Sequence, residues 1–165
     1  IPTTGLRFFT VYGPWGRPDM ALFKFTKNIL NFEPIEVFNN GQMIRDFTYI
    51  DDIVEGIVRI LNKPAYPDNS FNKNLPNPSS SWAPYRIFNI GNSSPVPLMS
   101  YIEEIERELD IVAKKNYLPM QPGDVEATCA DTENLQEWVS YKPKTTIKDG
   151  IKEFIAWYKI YYSIN

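Results

Sequence analysis

Apolar positions along the chain change spacing repeatedly, and each spacing predicts an element. Leu6 to Tyr12 is a β-rich run closed by Gly13-Pro14, which predicts a buried strand. Trp15 to Met20 is turn-rich. From Ala21 a helix is expected, because Leu22, Phe25, Ile29 and Leu30 recur at helical spacing before Pro34 stops it. Ile35 to Phe38 alternates like a short strand. Asn39-Asn40-Gly41 is a tight-turn signal, and the stretch around Arg45 is expected to return from it. Asp51 or Asp52 can cap the next helix, whose apolar stripe is Ile53, Val54, Ile57, Val58 and Leu61.

Residues 64–84 hold five prolines, four asparagines and four serines, a composition that predicts a surface loop. Arg86 to Gly91 gives another short strand. Leu98, Ile102, Ile105 and Leu109 line one face of a further helix, and Asn116 to Pro119 is a strand candidate. Gln121-Pro122-Gly123-Asp124 is a turn whose carboxylate can face a ligand. Asp131 is placed to cap a short helix carrying Leu135 and Trp138. Thr146 and Asp149 make a capping box for a last helix that buries Ile147, Ile151, Phe154 and Tyr158. Strands followed by helices predict an α/β layout, with too few strands for a complete doubly wound sheet.

Composition narrows the chemistry. With 165 residues and 43% apolar side chains, the chain is one domain able to bury a core. A formal charge of −3 argues against a general nucleic-acid binder. The absence of histidine removes histidine-based nucleophile pairs and histidine metal sites, and no metal site is expected. A single cysteine, Cys129, excludes internal disulfides and fits a reducing, cytoplasmic setting. No stretch has the length of a membrane span, so no membrane partner is expected. The chain begins at Ile1 without methionine, as a piece of something longer would.

Arg45 stands inside an apolar, aromatic run, and a guanidinium is costly to bury without an anion. Its partner is either a carboxylate, Asp46 or Asp52, or a phosphate gripped by the planar fork. Three more residues at strand ends or glycine-flanked loops carry the same ambiguity. Thr10 contacts a ligand or satisfies the backbone, Arg17 meets an anion or pairs with Asp19, and Asp124 faces a ligand or braces its own turn. The eight glycines build no dinucleotide fingerprint of strand, glycine turn and helix. No tyrosine precedes a lysine by four residues, so the proton-transfer pair of dehydrogenase-like enzymes is missing too. No catalytic residue is therefore expected within this chain.

In combination these stretches are more specific. Thr4 to Ala21, with its Val-Tyr-Gly-Pro-Trp-Gly-Arg-Pro-Asp-Met-Ala core, resembles the start of the carboxyl-terminal half of nucleotide-sugar epimerases. These belong to the extended short-chain dehydrogenase/reductases. Arg45 to Val54, Phe88 to Gly91 and Gln121 to Val125 follow in the family's order, and the likeness is strongest to UDP-glucuronate 4-epimerases. The resemblance implies an α/β fold, the carboxyl-terminal substrate-binding part of a Rossmann-type enzyme with an incomplete sheet. Residues 1–165 would be that part, the NAD-binding half being absent, with 64–84 as a surface loop.

Carried over residue by residue, the resemblance places Arg45 on a diphosphate, Val37 and Phe38 along uracil, and Asp124 at a ribose hydroxyl. Thr10 and Arg17 would meet the sugar, with Arg17 on the hexuronate carboxylate, and Phe8 would sit near the nicotinamide. Gln121 stands where many such enzymes place a phosphate-binding arginine, which puts more weight on Arg45. The implied parent is an NAD-dependent UDP-sugar epimerase, expected as a homodimer, with this piece inactive alone. A UDP-glucuronate decarboxylase, a nucleotide-sugar dehydratase and a non-catalytic nucleotide-sugar-binding module are the alternatives.

Overall fold

A computed structural model describes residues 1–164. It is an α/β arrangement built on four two-stranded pairings rather than one continuous sheet. The first run divides into β1 (Thr3–Phe8) and β2 (Thr10–Tyr12), separated at Phe9. β1 pairs in parallel with β6 (Tyr85–Ile90), and β2 pairs in parallel with β5 (Phe47–Tyr49). Sequence spacing predicts one strand here. The break lets successive halves of the run serve different sheets.

β3 (Ile35–Val37) does not form a hairpin with the Arg45 strand as the Asn-Asn-Gly turn suggested. It lies parallel to β8 (Lys115–Tyr117), while β4 (Ile44–Arg45) runs antiparallel to β7 (Val96–Pro97). Asn39 and Asn40 both adopt left-handed φ, 50° and 49°, so the turn unwinds into a single 3₁₀ coil that redirects the chain.

Five helices cover these strands: α1 (Ala21–Leu30), α2 (Ile50–Leu61), α3 (Leu98–Leu109), α4 (Glu133–Val139) and α5 (Ile147–Tyr161). Two clusters form the interior. The larger joins α1, α3 and α5 to β2, β3 and β5, and its centre is aromatic: Phe47 stacks on Tyr101 at 4.0 Å, and Tyr12 meets both rings edge-on. The smaller packs α2 and α4 on β6, with Ile53, Ile60, Phe88, Ile90, Leu135 and Val139 buried.

Two expectations for α2 change. Its stripe is rotated, with Ile53, Gly56 and Ile60 buried while Val54, Val58 and Leu61 are exposed. Gly56 has no side chain, so the helix closes on Ile90 along that line; a Cβ there would come within 3.1 Å of the Ile90 side chain. Nor does an aspartate cap α2. Tyr49 occupies the cap position, and the buried Asp52 carboxylate reaches away from it. It accepts hydrogen bonds from the Tyr141 hydroxyl at 2.8 Å and from the Thr145 and Lys144 amides at 2.9 and 3.3 Å. The Thr146–Asp149 capping box does form at the start of α5, where Thr146 Oγ1 accepts from the Asp149 amide at 3.1 Å.

Burial raises the Asp52 carboxyl, but the Thr145 amide, the Tyr141 hydroxyl and the remaining donors outweigh it, and the group ends below its usual range. A carboxyl with a lowered folded value stabilises fully above its unfolded value and loses that contribution as pH falls through the folded one. Asp52→Asn is therefore expected to lose stability at neutral pH and to show a shallower acid limb, measured as urea midpoints across the acid range. Gly150 gives a second test. Glycine to alanine inside a helix ordinarily stabilises by about 1 kcal/mol. Here a Cβ would overlap the Tyr12 hydroxyl and lie 2.7 Å from Cζ of its buried ring. Gly150→Ala is expected to destabilise by about 1–3 kcal/mol in chemical denaturation, the usual size of overpacking.

Candidate functional site

The carboxyl-terminal end of β1, the start of β2, the loop after β2 and Thr128 enclose an open hollow of about 610 Å³. Phe8, Phe9, Thr10, Arg17 and Thr128 are among its lining residues. Phe8 ends β1 and is half exposed there. Thr10 begins β2, in register with Phe47. Sequence reasoning named Phe8, Thr10 and Arg17 for one region, and the fold brings them into one hollow.

The loop that carries Arg17 is held from both ends. The Gly16 amide donates to the Gly13 carbonyl at 3.2 Å, and the Met20 amide donates to the Arg17 carbonyl at 3.1 Å. Trp15 takes a left-handed φ of 61°, unusual for a bulky residue. Its indole lies against Trp157 and Tyr161 of α5, with centroids 5.4 and 5.2 Å apart. Aromatic packing on the last helix thus fixes the loop. Arg17 itself is exposed and forms a two-bond pair with Asp19, Nε to Oδ1 at 3.1 Å and Nη2 to Oδ2 at 2.5 Å. Hydrogen bonding to this guanidinium holds the Asp19 carboxyl below its usual range.

Arg45 has neither of the carboxylate partners its sequence suggested. Its Nη2 donates to Asp124 at 2.9 Å, and Nη1 donates to the carbonyls of Ile44 and Glu126 at 2.9 and 3.1 Å. The side chain is largely covered, yet Nε donates to no acceptor among the described residues. Asp124 is placed by the Gly123 turn, where φ is +83°, and its carboxylate also accepts from the Val125 amide. From there the chain runs beside β4: the Ile44 amide donates to Glu126, and the Thr128 amide donates back to Ile44. Arg45 and Asp124, distant in sequence, are brought together by this pairing.

Asp46, offered by its position as a partner for Arg45, is instead fully buried. Its carboxylate accepts from the amides of Ala130 and Ser93 at 2.8 and 3.0 Å, and its own amide donates to Thr128 Oγ1 at 3.2 Å. Sequence reasoning missed this role, and it missed Thr128, which joins the Arg45 strand to the Thr10 hollow. No local pattern announces either, since their partners lie in distant loops.

Val37 and Phe38 separate. Val37 is buried in the core, and its carbonyl accepts from the Leu118 amide. Alternation along β3 with Ile35 and Val37 inward requires this. Phe38 lines a second hollow of about 370 Å³ with Asp19, Glu36 and Asn116. The two hollows adjoin at the Arg17–Asp19 pair.

A model of the NAD dependent epimerase/dehydratase family matches residues 1–91. The chain belongs to that family. Protein CapI of Staphylococcus aureus is 57% identical over 98% of this chain and 48% of its own length. UDP-glucuronate 4-epimerase 1 of Arabidopsis thaliana is 46% identical, with 100% of this chain and 38% of that protein covered. The crystal structure of UDP-glucuronic acid 4-epimerase from Bacillus cereus in complex with UDP-glucuronic acid and NAD superposes with a TM-score of 0.80. It is 33% identical, covering 98% of this chain and 46% of that one. The chain thus spans about half the length of the curated relatives it matches. The epimerase/dehydratase fold accounts for the short paired strands as part of a Rossmann-type sheet.

Among the described residues no cluster suits a metal ion, and no helix is long and apolar enough to cross a membrane. The glycine turns at strand ends do not form a dinucleotide cradle either. Gly13 is followed by Pro14 and a loop, and a Cβ on Gly91 would lie 2.6 Å from Ala130, so that glycine serves packing.

If Arg45 grips a diphosphate through Nε and its second Nη2 hydrogen, a lysine cannot replace it. Arg45→Lys is expected to weaken UDP binding about ten- to a hundred-fold, the loss of a charge-assisted hydrogen bond of roughly 1.5–3 kcal/mol. Titration calorimetry on the intact enzyme measures this. A large fall in melting temperature with unchanged UDP affinity would assign Arg45 to bracing the Asp124 turn alone.

Proposed function

We propose that this chain forms the nucleotide-sugar-binding half of an NAD-dependent UDP-sugar 4-epimerase acting on UDP-glucuronate. The observation that carries this reading is the exposed fork of Arg17 at the hollow lined by Thr10 and Phe8. A second guanidinium, Arg45, stands on the strand tied to the same hollow through Thr128. Two guanidiniums, one on this hollow and one on the strand bonded to its Thr128, suit a ligand with a diphosphate at one end and a carboxylate at the other. The named relatives from Arabidopsis thaliana and Bacillus cereus support the same substrate.

In this reading Arg45 takes the diphosphate, and Asp124, already oriented by Arg45, accepts from a ribose hydroxyl. Phe38 offers its ring to uracil in the adjoining hollow. Thr10 donates to the sugar and Phe8 borders the nicotinamide. NAD, held by groups outside these residues, supplies removal and return of hydride at C4. The residues of this chain bind, orient and keep charge in place. Their hardest task concerns the carboxylate. A ketone at C4 stands β to the carboxyl carbon, and such acids lose carbon dioxide readily. Holding the carboxylate ionised, with its bond to C5 out of line with the carbonyl π-system, prevents that loss. A bidentate guanidinium fixes both charge and plane.

Arg17→Ala in the intact enzyme is expected to cut turnover of UDP-glucuronate at least about ten-fold while sparing UDP affinity, the effect of losing a charge-assisted contact. Chromatography of the products should also reveal some released UDP-pentose. Wild-type turnover of UDP-glucuronate by the variant would remove the uronate from this proposal. A pentose as the main product of the unmodified enzyme would favour a decarboxylase.

A further inference from the structure

The fork of Arg17 is not empty. Asp19 fills it with two near-parallel bonds, Nε to Oδ1 at 3.1 Å and Nη2 to Oδ2 at 2.5 Å, the geometry that any bound carboxylate would adopt. Pro18 stands between the two residues, and the Met20 amide closes the turn on the Arg17 carbonyl at 3.1 Å. The turn therefore presents the carboxylate to the guanidinium. Both side chains are open to solvent, 75% and 58% exposed, and among the described residues no other side chain hydrogen-bonds to either. An ion pair this exposed is screened and weak, so an incoming anion can exchange with it.

We propose that Asp19 is an internal stand-in for the carboxylate of the substrate, and that it tempers the affinity for uronates by competing for Arg17. This rests on the uronate reading given above. In the free site Asp19 neutralises the guanidinium, and a ligand must offer a carboxylate to take the fork from it. A neutral hexose gains nothing from that exchange and leaves the pair intact. Stray anions face the same competitor, so the hollow is protected from occupation by them. An internal competitor lowers the affinity of every anion that must displace it by the same factor, and leaves the affinity of a neutral ligand unchanged. The position of Asp19 fits the exchange. Its side chain is exposed, so a displaced carboxylate has solvent to turn into.

The test uses the intact enzyme, with titration calorimetry for UDP-glucuronate and for UDP. Asp19→Asn keeps the shape and removes the charge. It is expected to tighten UDP-glucuronate about two- to five-fold, the range of an exposed ion pair, with UDP unchanged. In an Arg17→Ala background the same substitution should have no effect, because the competitor then has nothing to release. Asp19→Glu, which keeps the charge, should stay near the parent affinity. Unchanged or weaker UDP-glucuronate binding in Asp19→Asn overturns the proposal and makes Asp19 a brace of the loop. So does tightening that survives removal of Arg17. Failure of the underlying reading shows differently: the unmodified enzyme would then bind UDP-glucuronate no better than UDP, and this proposal would fall with it.

Discussion

The buried carboxylate of Asp46 is the contact on which the cleft depends. It accepts amides from Ser93, in the loop after β6, and from Ala130, in the segment leading to α4. Its own amide holds Thr128. One side chain therefore joins the strand that carries Arg45 to the two loops forming the far wall. A carboxylate is suited to this because it accepts several donors at once, and a buried amide without a partner is expensive. Gly91 must be small for the same reason: a Cβ there would strike Ala130 and lie 3.3 Å from Asp46 Oδ2.

Around that anchor the two hydrophobic clusters divide the work. The aromatic centre formed by Tyr12, Phe47 and Tyr101 fixes β2 against β5 and so places Thr10. Trp157 and Tyr161 on α5 secure the loop of Arg17 from the outside. Rigid packing thus supports both edges of the hollow, while the charged groups at its rim stay accessible. Arg45 is covered and multiply bonded, whereas Arg17 is exposed and singly partnered.

Much of the α/β fold was legible in the sequence because it follows from local spacing. The helical repeat of Leu22, Phe25 and Ile29 predicted α1, and Leu98, Ile102 and Ile105 predicted α3. Thr146 and Asp149 determined the start of α5 through bonds made within one turn. The motifs around Arg17 and Arg45, with Pro-Gly-Asp, pointed to the epimerase/dehydratase family, and the family match bears that out. The need of Arg45 for an anion also followed from its neighbours alone.

Tertiary structure decided which anion it meets. Asp124 is 79 residues away and arrives only because the segment after Gly123 aligns with β4. Periodicity says that a residue is apolar and faces one side, but packing selects the side. Thus Val54, Val58 and Leu61 are exposed while Gly56 is buried, and Val37 faces the core although Phe38 lines a hollow. Asp46 and Asp52 looked alike as charged residues beside an apolar run. Each became a buried acceptor for amides far along the chain, since donors left unpaired by folding are supplied by topology and not by sequence neighbours.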